Sequence, residues 1–239
     1  MKRRLLIMFL LGCLLPFAVQ AQHGTFRFAQ ITDIHFSPNN PNPTEDLLRS
    51  VAQINAIDSI DFVLVTGDIT EEGDRATMLK VKETLDLLKA KYYVILGNHE
   101  TKWSDSGCTA FGEIFGGERF EFEHKGILFL GFNSGPLMRM AYGHVVPQDI
   151  RWMTEEMDKF GKDKPVILVT HYPLLDGDVD NWYEVTDAVR PYNIRLFIGG
   201  HYHRNRDLRY DGIPGILLGS NLRGKDGKPG YWIYDIKKN

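Results

Sequence analysis

Cysteine is almost missing from this chain: 239 residues contain two, Cys13 and Cys108. A disulfide framework is therefore excluded, and Cys108 reads as a small, inert, buried residue. Basic excess is missing as well. Lys and Arg number 28 against 31 Asp and Glu, a formal charge of −3. Non-specific nucleic-acid binding rests on phosphate neutralisation by cations, so no nucleic-acid partner is expected. No repeat, low-complexity tract or linker-like run interrupts the chain. The nearest candidate, Pro38 to Pro43, reads as a loop at the rim of a site, which leaves one domain over residues 22–239.

One long apolar run is present, at the amino terminus. Lys2, Arg3 and Arg4 precede a nearly unbroken apolar stretch from Leu5 to Val19, and Val19-Gln20-Ala21 ends it with small residues at the two positions a signal peptidase reads. The run is short for a membrane span of about 20 residues. Residues 1–21 read as a cleaved signal peptide, which makes the protein exported, periplasmic or secreted, with no stable membrane span in the mature chain. Leu10-Leu11-Gly12-Cys13 resembles a lipobox and keeps a lipoprotein anchored through Cys13 as the alternative. Cleavage removes three basic and no acidic residues, taking the charge from −3 to −6.

Apolar runs suited to strands alternate with helical patterns. Strands are expected at 26–32, 61–66, 92–96, 165–170 and 195–198, and helices at 44–59 (capped by Thr44), 75–91 and 147–160. A hairpin turning at Lys125-Gly126 and short strands at 206–210, 216–218 and 231–236 complete the pattern. Alternation of this kind argues for an α/β fold, and the later hairpins for mixed sheets.

Five segments that follow apolar strands hold most of the chemically interesting side chains. They are Asp33-Ile34-His35, Gly67-Asp68, Gly97-Asn98-His99-Glu100, Thr170-His171-Tyr172 and Gly200-His201-Tyr202-His203. Ligands collect beyond the carboxyl ends of strands in open α/β sheets, so distant segments can converge there. Asp and neutral His suit Zn²⁺, Fe²⁺ or Mn²⁺, a carboxylate can bridge two cations, and an Asn carbonyl adds a neutral oxygen. Five of the eight histidines lie in these segments; His23, His124 and His144 do not and read as ordinary polar residues.

The ordered pattern DxH, GD, GNHE, H, GHxH, running through nearly all of residues 26–236, resembles the calcineurin-like metallophosphoesterases. The resemblance implies a four-layer αββα sandwich with two mixed β-sheets and two divalent metal ions (Mn, Fe or Zn). Asp33, His35 and His203 would bind one metal, Asn98, His171 and His201 the other, and Asp68 would bridge them. His99 would bind no metal and would face the phosphate as the catalytic residue. The implied function is hydrolysis of a small phosphate monoester or diester by a metal-bridged hydroxide; the alternative is a non-catalytic metal-binding or scaffolding module of the same fold.

The departures from relatives narrow the reading. Protein phosphatases of the family carry an Asp-Arg pair after GD, where this chain has Glu71-Glu72, so a phosphate-clamping Arg is missing. Glu71 could replace the Asp that orients His99. Purple acid phosphatases place a Tyr ligand at the position of Glu71 and have DxG where this chain has DxH. Glu100 reads either as a partner tuning His99 or as an exposed carboxylate. Arg139, Tyr142 and Arg204 read as solvated surface, and the loop aromatics Phe36, Trp103, Tyr142 and Trp182 as packing residues. Mass spectrometry of the exported protein should find Gln22 at the amino terminus. A lipid-modified Cys13 at that position would replace cleavage with anchoring.

Overall fold

A computed structural model describes residues 24–228 and 230–237. The expected signal segment, Cys13 and His23 lie outside them.

The fully apolar strands decide the architecture. β1 (Phe26–Ile31), β2 (Phe62–Thr66) and β3 (Lys91–Ile95) run parallel, as strands joined by crossover helices do. β2 is buried at every position, which fits a strand covered on both faces. The second sheet is built from β4 (Phe120–His124), β5 (Ile127–Gly131), β6 (Val166–Val169), β7 (Ile194–Gly199), β8 (Arg206–Tyr210) and β9 (Ile213–Leu217), in the order β4-β5-β6-β7-β9-β8. Its centre is parallel, and the β4/β5 and β8/β9 edges are antiparallel. β10 (Trp232–Ile236) returns to the first sheet and pairs antiparallel with β1, with Phe28 opposite Tyr234.

Strand pleating sends alternate side chains to opposite faces. Phe62 and Leu64 point into the space between the sheets, where they meet Phe26, Phe28, Ile95, Phe129, Ile167, Val169 and Ile198. Val63 and Val65 point outward, against α1 (Pro41–Asn55), α2 (Arg75–Leu85) and α3 (Thr109–Phe115). α4 (Pro147–Phe160) and α5 (Trp182–Val189) cover the outer face of the second sheet. The result is the expected α/β arrangement of four layers, αββα, in a single domain. Aromatic rings dominate the middle layer. Phe28 stacks on Phe62 at 5.0 Å and on Tyr234 at 4.6 Å, and Phe129 meets Phe62 edge-on at 5.1 Å.

Helix ends depart from the sequence expectations. α1 starts at Pro41, capped by the Asn40 side chain, which accepts from the Asn42 backbone N–H. Thr44 therefore lies inside the helix and Asn55 ends it. The proline-bearing stretch read as loop forms the first turn because proline tolerates positions whose N–H has no helical partner. α2 stops at Leu85, short of Lys91. The Asn55 side chain intervenes, donating to the Leu87 carbonyl and accepting from the Lys89 N–H, which draws the following backbone out of the helix. α3 and α5 are seven and eight residues long and carried no clear period in the sequence. No described helix is long and apolar enough to cross a membrane.

Phe129 is fully buried at the meeting point of the two sheets. Phe129→Ala should lower the unfolding free energy by about 3–5 kcal/mol, read from urea denaturation. A loss below about 1 kcal/mol would contradict a close-packed layer there.

Candidate metal centre

The carboxyl ends of β1, β2, β3, β6 and β7 all open on one rim, and the five expected segments begin there. β1 and β2 continue side by side past their last residues. Asp33 N–H donates to the Gly67 carbonyl, His35 N–H to that of Asp68, and Phe36 N–H to that of Ile69. Asp33, His35, Asp68, His201 and His203 all have positive φ, between 48° and 75°. Left-handed backbone is uncommon outside glycine and costs energy unless the surroundings hold it. Five such residues at one place show a backbone bent to aim side chains.

The side chains meet around the buried Asp68. Its Oδ2 lies 3.2 Å from His171 Nε2, 3.8 Å from His35 Nε2 and 3.9 Å from His99 Nε2. Asp33, His35, Asp68 and His203 form one group whose ligand atoms lie within 4.8 Å of one another, and Asp68, His171 and His201 form a second. Asp68 belongs to both. Asn98 joins the second group through Oδ1, 3.2 Å from His171 Nε2. All seven expected metal ligands are thus brought together, and His99 stands beside them. His124 and His144 lie elsewhere, paired with Asp61 and Asp180.

The buried carboxylate and imidazoles govern one another's charges. Burial disfavours a charge on Asp68, but the surrounding imidazoles outweigh it and hold its carboxyl well below the usual range. Burial also opposes a charge on His171; the Asp68 carboxylate prevails and its pKa is pushed up to about 9. Burial and neighbouring His171 push His201 down to about 3, leaving a neutral ring that can ligate. His171 Nδ1 donates to the Thr66 carbonyl at 2.7 Å, so Nε2 is the atom presented to the centre. His35 and His203 point their Nε2 atoms at each other, 2.9 Å apart, an arrangement a cation between them would satisfy twice over. The donor set, nitrogen and carboxylate oxygen with one amide oxygen, fits borderline divalent ions.

Two carboxylates take roles that the sequence did not reveal. Glu71 does not orient His99 with its side chain. Its Oε2 lies 2.9 Å from His35 Nδ1, and its backbone carbonyl accepts from His99 Nδ1 at 2.5 Å. The first contact fixes the ring of a metal-binding candidate, as an outer carboxylate commonly does. Glu100 neither touches His99 nor faces solvent. It is fully buried, accepting from Thr70 N–H and Oγ1 and from Gly97 N–H at 2.9–3.0 Å. Burial and then Asp68 raise its pKa, and the three donors oppose that rise. It ties the Asp68 loop to the Asn98 loop. Position alone would not have exposed this, since the residue type is equally common on surfaces.

A family model described as calcineurin-like phosphoesterase matches residues 26–205. The chain belongs to that family. It is 27% identical over 212 residues to the uncharacterized protein YvnB of Bacillus subtilis, a match covering 78% of this chain and 16% of that much longer one. It is 27% identical over 199 residues to a protein named as a probable glycerophosphodiester phosphodiesterase, GpdQ, of Arcobacter nitrofigilis, covering 73% of this chain and 71% of that one. It is 23% identical over 192 residues to a 3',5'-cyclic-nucleotide phosphodiesterase of Nostoc, covering 74% and 71%. In fold it resembles the phosphopantetheinyl hydrolase of Mycobacterium tuberculosis, with a TM-score of 0.53, 16% identity and coverage of 91% of this chain and 97% of that one. The chain is thus a metal-dependent phosphoric ester hydrolase by family.

Gly97 has no room for a side chain, since a Cβ there would overlap the carboxylate and backbone nitrogen of Asp68. Gly97→Ala should retain the circular dichroism of the fold. After dialysis it should hold less than about half the divalent metal of the wild type by elemental analysis. Gly112→Ala in α3, where a Cβ would meet nothing and the backbone is helical, supplies the control.

Proposed function

We propose that this protein is a dinuclear-metal hydrolase of small phosphate esters, with phosphodiesters as its substrates, acting outside the cytoplasm. The observation that carries the reading is the sharing of Asp68 between two ligand groups, with His99 outside both and within reach of His35 and Glu71. The expected signal segment supports the location, and the relatives named as phosphodiesterases support the choice of ester.

Asp33, His35 and His203 would hold one ion, Asn98, His171 and His201 the second, and Asp68 both. Divalent ions so held would supply positive charge to the phosphoryl oxygens and acidify a water. The chain's own groups do the rest. Glu71 and the Thr66 carbonyl lock the rings of His35 and His171, so substrate binding need not order them. A cavity of about 560 Å³, lined by His35, Asn98, His99, His201 and His203, leaves the centre open to solvent and to a small ester. His99 donates its Nδ1–H to the Glu71 carbonyl, so the ring as imidazolium carries its second proton on Nε2 and passes that one to the departing alkoxide, ending neutral. No Arg is among the residues that line this cavity, so phosphate recognition would fall to the ions and to His99.

Protein loaded with Mn²⁺ should cleave bis(p-nitrophenyl) phosphate. His99→Ala should keep its metal and lose about 10²–10⁴ in kcat, as expected for a lost proton donor. Wild-type protein that holds two metals per chain and cleaves neither this ester nor p-nitrophenyl phosphate would overturn the reading.

A further inference from the structure

Large apolar side chains are not exposed evenly. Five of the nine exposed among the described residues, Trp103, Leu137, Met138, Met140 and Tyr142, lie on two loops, and Met138 is 81% exposed. Scattered exposed apolar residues are ordinary, whereas a cluster marks a binding surface. Both loops are anchored to the metal centre. The first begins with the π-helical turn His99–Trp103, where Thr101 N–H donates to the Gly97 carbonyl and Thr101 Oγ1 to that of Asn98. The second is held at Ser134, whose Oγ accepts from the N–H of Tyr172, the neighbour of His171. Gly143 in the same loop packs so closely on the Tyr172 ring that a Cβ would overlap it.

Between the loops runs a cleft of about 660 Å³, larger than the cavity over the metal ligands. Thr101, Cys108, Pro136, Leu137, Met138 and Val146 line it. The charged groups in its wall are already partnered. Arg119 meets Asp149 at 3.0 Å, His144 meets Asp180 at 2.7 Å, and Glu118 accepts from Asn133 at 3.3 Å. Burial pushes the Cys108 thiol up to about 12, so it offers no anionic nucleophile or soft ligand here. With its one cation paired to Asp149, a cleft walled by methionine and leucine and reached through the turn that carries His99 suits a hydrocarbon chain. It offers few free hydrogen-bonding groups to a sugar or a nucleobase.

We propose that this cleft receives the organic part of the ester, and that the preferred substrates are amphiphilic phosphodiesters bearing an alkyl or acyl chain, over which Leu137 and Met138 close. The proposal rests on the hydrolase reading above and names the substrate class of that same site. Lys102, whose Nζ lies 5.0 Å over the Trp103 ring, and Arg139, next to Met138, place positive charge among the exposed apolar residues, which suits an anionic headgroup.

The test compares methyl and octyl p-nitrophenyl phosphodiesters below their aggregation limit. Each buried methylene is worth about a fourfold gain, so even partial burial of the octyl chain should raise kcat/KM at least about tenfold over the methyl ester. In the double variant L137S/M138S the octyl-to-methyl ratio should fall at least about fivefold. Leu87→Ser, exposed away from these loops, should leave the ratio as in the wild type. A binding measurement stands apart from turnover. In methyl-labelled protein, octylphosphonate should shift the Met138 methyl resonance, and methylphosphonate should not. Equal rates for the two esters, an unmoved Met138 signal, or faster cleavage of the thymidine p-nitrophenyl ester than of the octyl ester would each overturn the proposal. So would self-association of the wild type that the double variant abolishes, which would assign the surface to a second copy. Failure to cleave even the methyl ester, with the Met138 shift present, would overturn the hydrolase reading and leave a lipid-binding cleft.

Discussion

A single buried carboxylate organises this protein. Asp68 sits at the end of the most completely buried strand, almost wholly buried, and its charge would be costly there without partners. His35, His99 and His171 approach it from loops after β1, β3 and β6, and each approach demands a bent backbone or a missing side chain. Gly97 is glycine because Asp68 occupies the space its Cβ would need, and Gly200 because a Cβ would overlap Thr32 and Asp33. The parallel alignment of strands in both sheets serves the same end. It delivers these loops to one rim, so the position of one charge is supported by the whole framework beneath it.

The framework is mostly hydrocarbon. The layer between the sheets is filled by rings that stack or meet edge-on, and such interiors deform little. Rigidity matters because the ligand groups must keep separations of a few ångströms with strained backbone at five of their residues. The loops carrying Trp103 and Met138 lie outside this packed layer, tied to it at Thr101 and Ser134. Precision is confined to the centre, and variation is left to its margin.

Much of this was legible in the sequence, and the exceptions have physical causes. Strands such as Phe62-Val63-Leu64-Val65 announce themselves because burial on both faces demands an unbroken apolar run. The ligand segments were readable because histidine and aspartate recur just after such runs. Helix limits were less readable. Asn40 outcompetes Thr44 as a cap, and a side chain from another helix, Asn55, shapes the backbone after α2. Residue type also misled at Glu71, whose backbone rather than carboxylate holds His99, and at Glu100, whose burial depends on donors contributed by two separate loops. Such roles are set by three-dimensional convergence, which a local pattern does not encode.

β1 is held between β2, which follows it closely in the chain, and β10, which arrives some two hundred residues later. Until residues 232–236 emerge from the ribosome, one edge of β1 is an open row of hydrogen-bonding groups. The Asp33 loop hangs from that strand, and Ser220 and Asn221, which brace its backbone from the carboxyl-terminal segment, are equally late. The first sheet therefore cannot close until some two hundred residues beyond β1 have been made. The loop bearing Asp33 and His35 is thus braced on this side only once β10 has docked, so its left-handed turns are among the later features of the fold to become fixed.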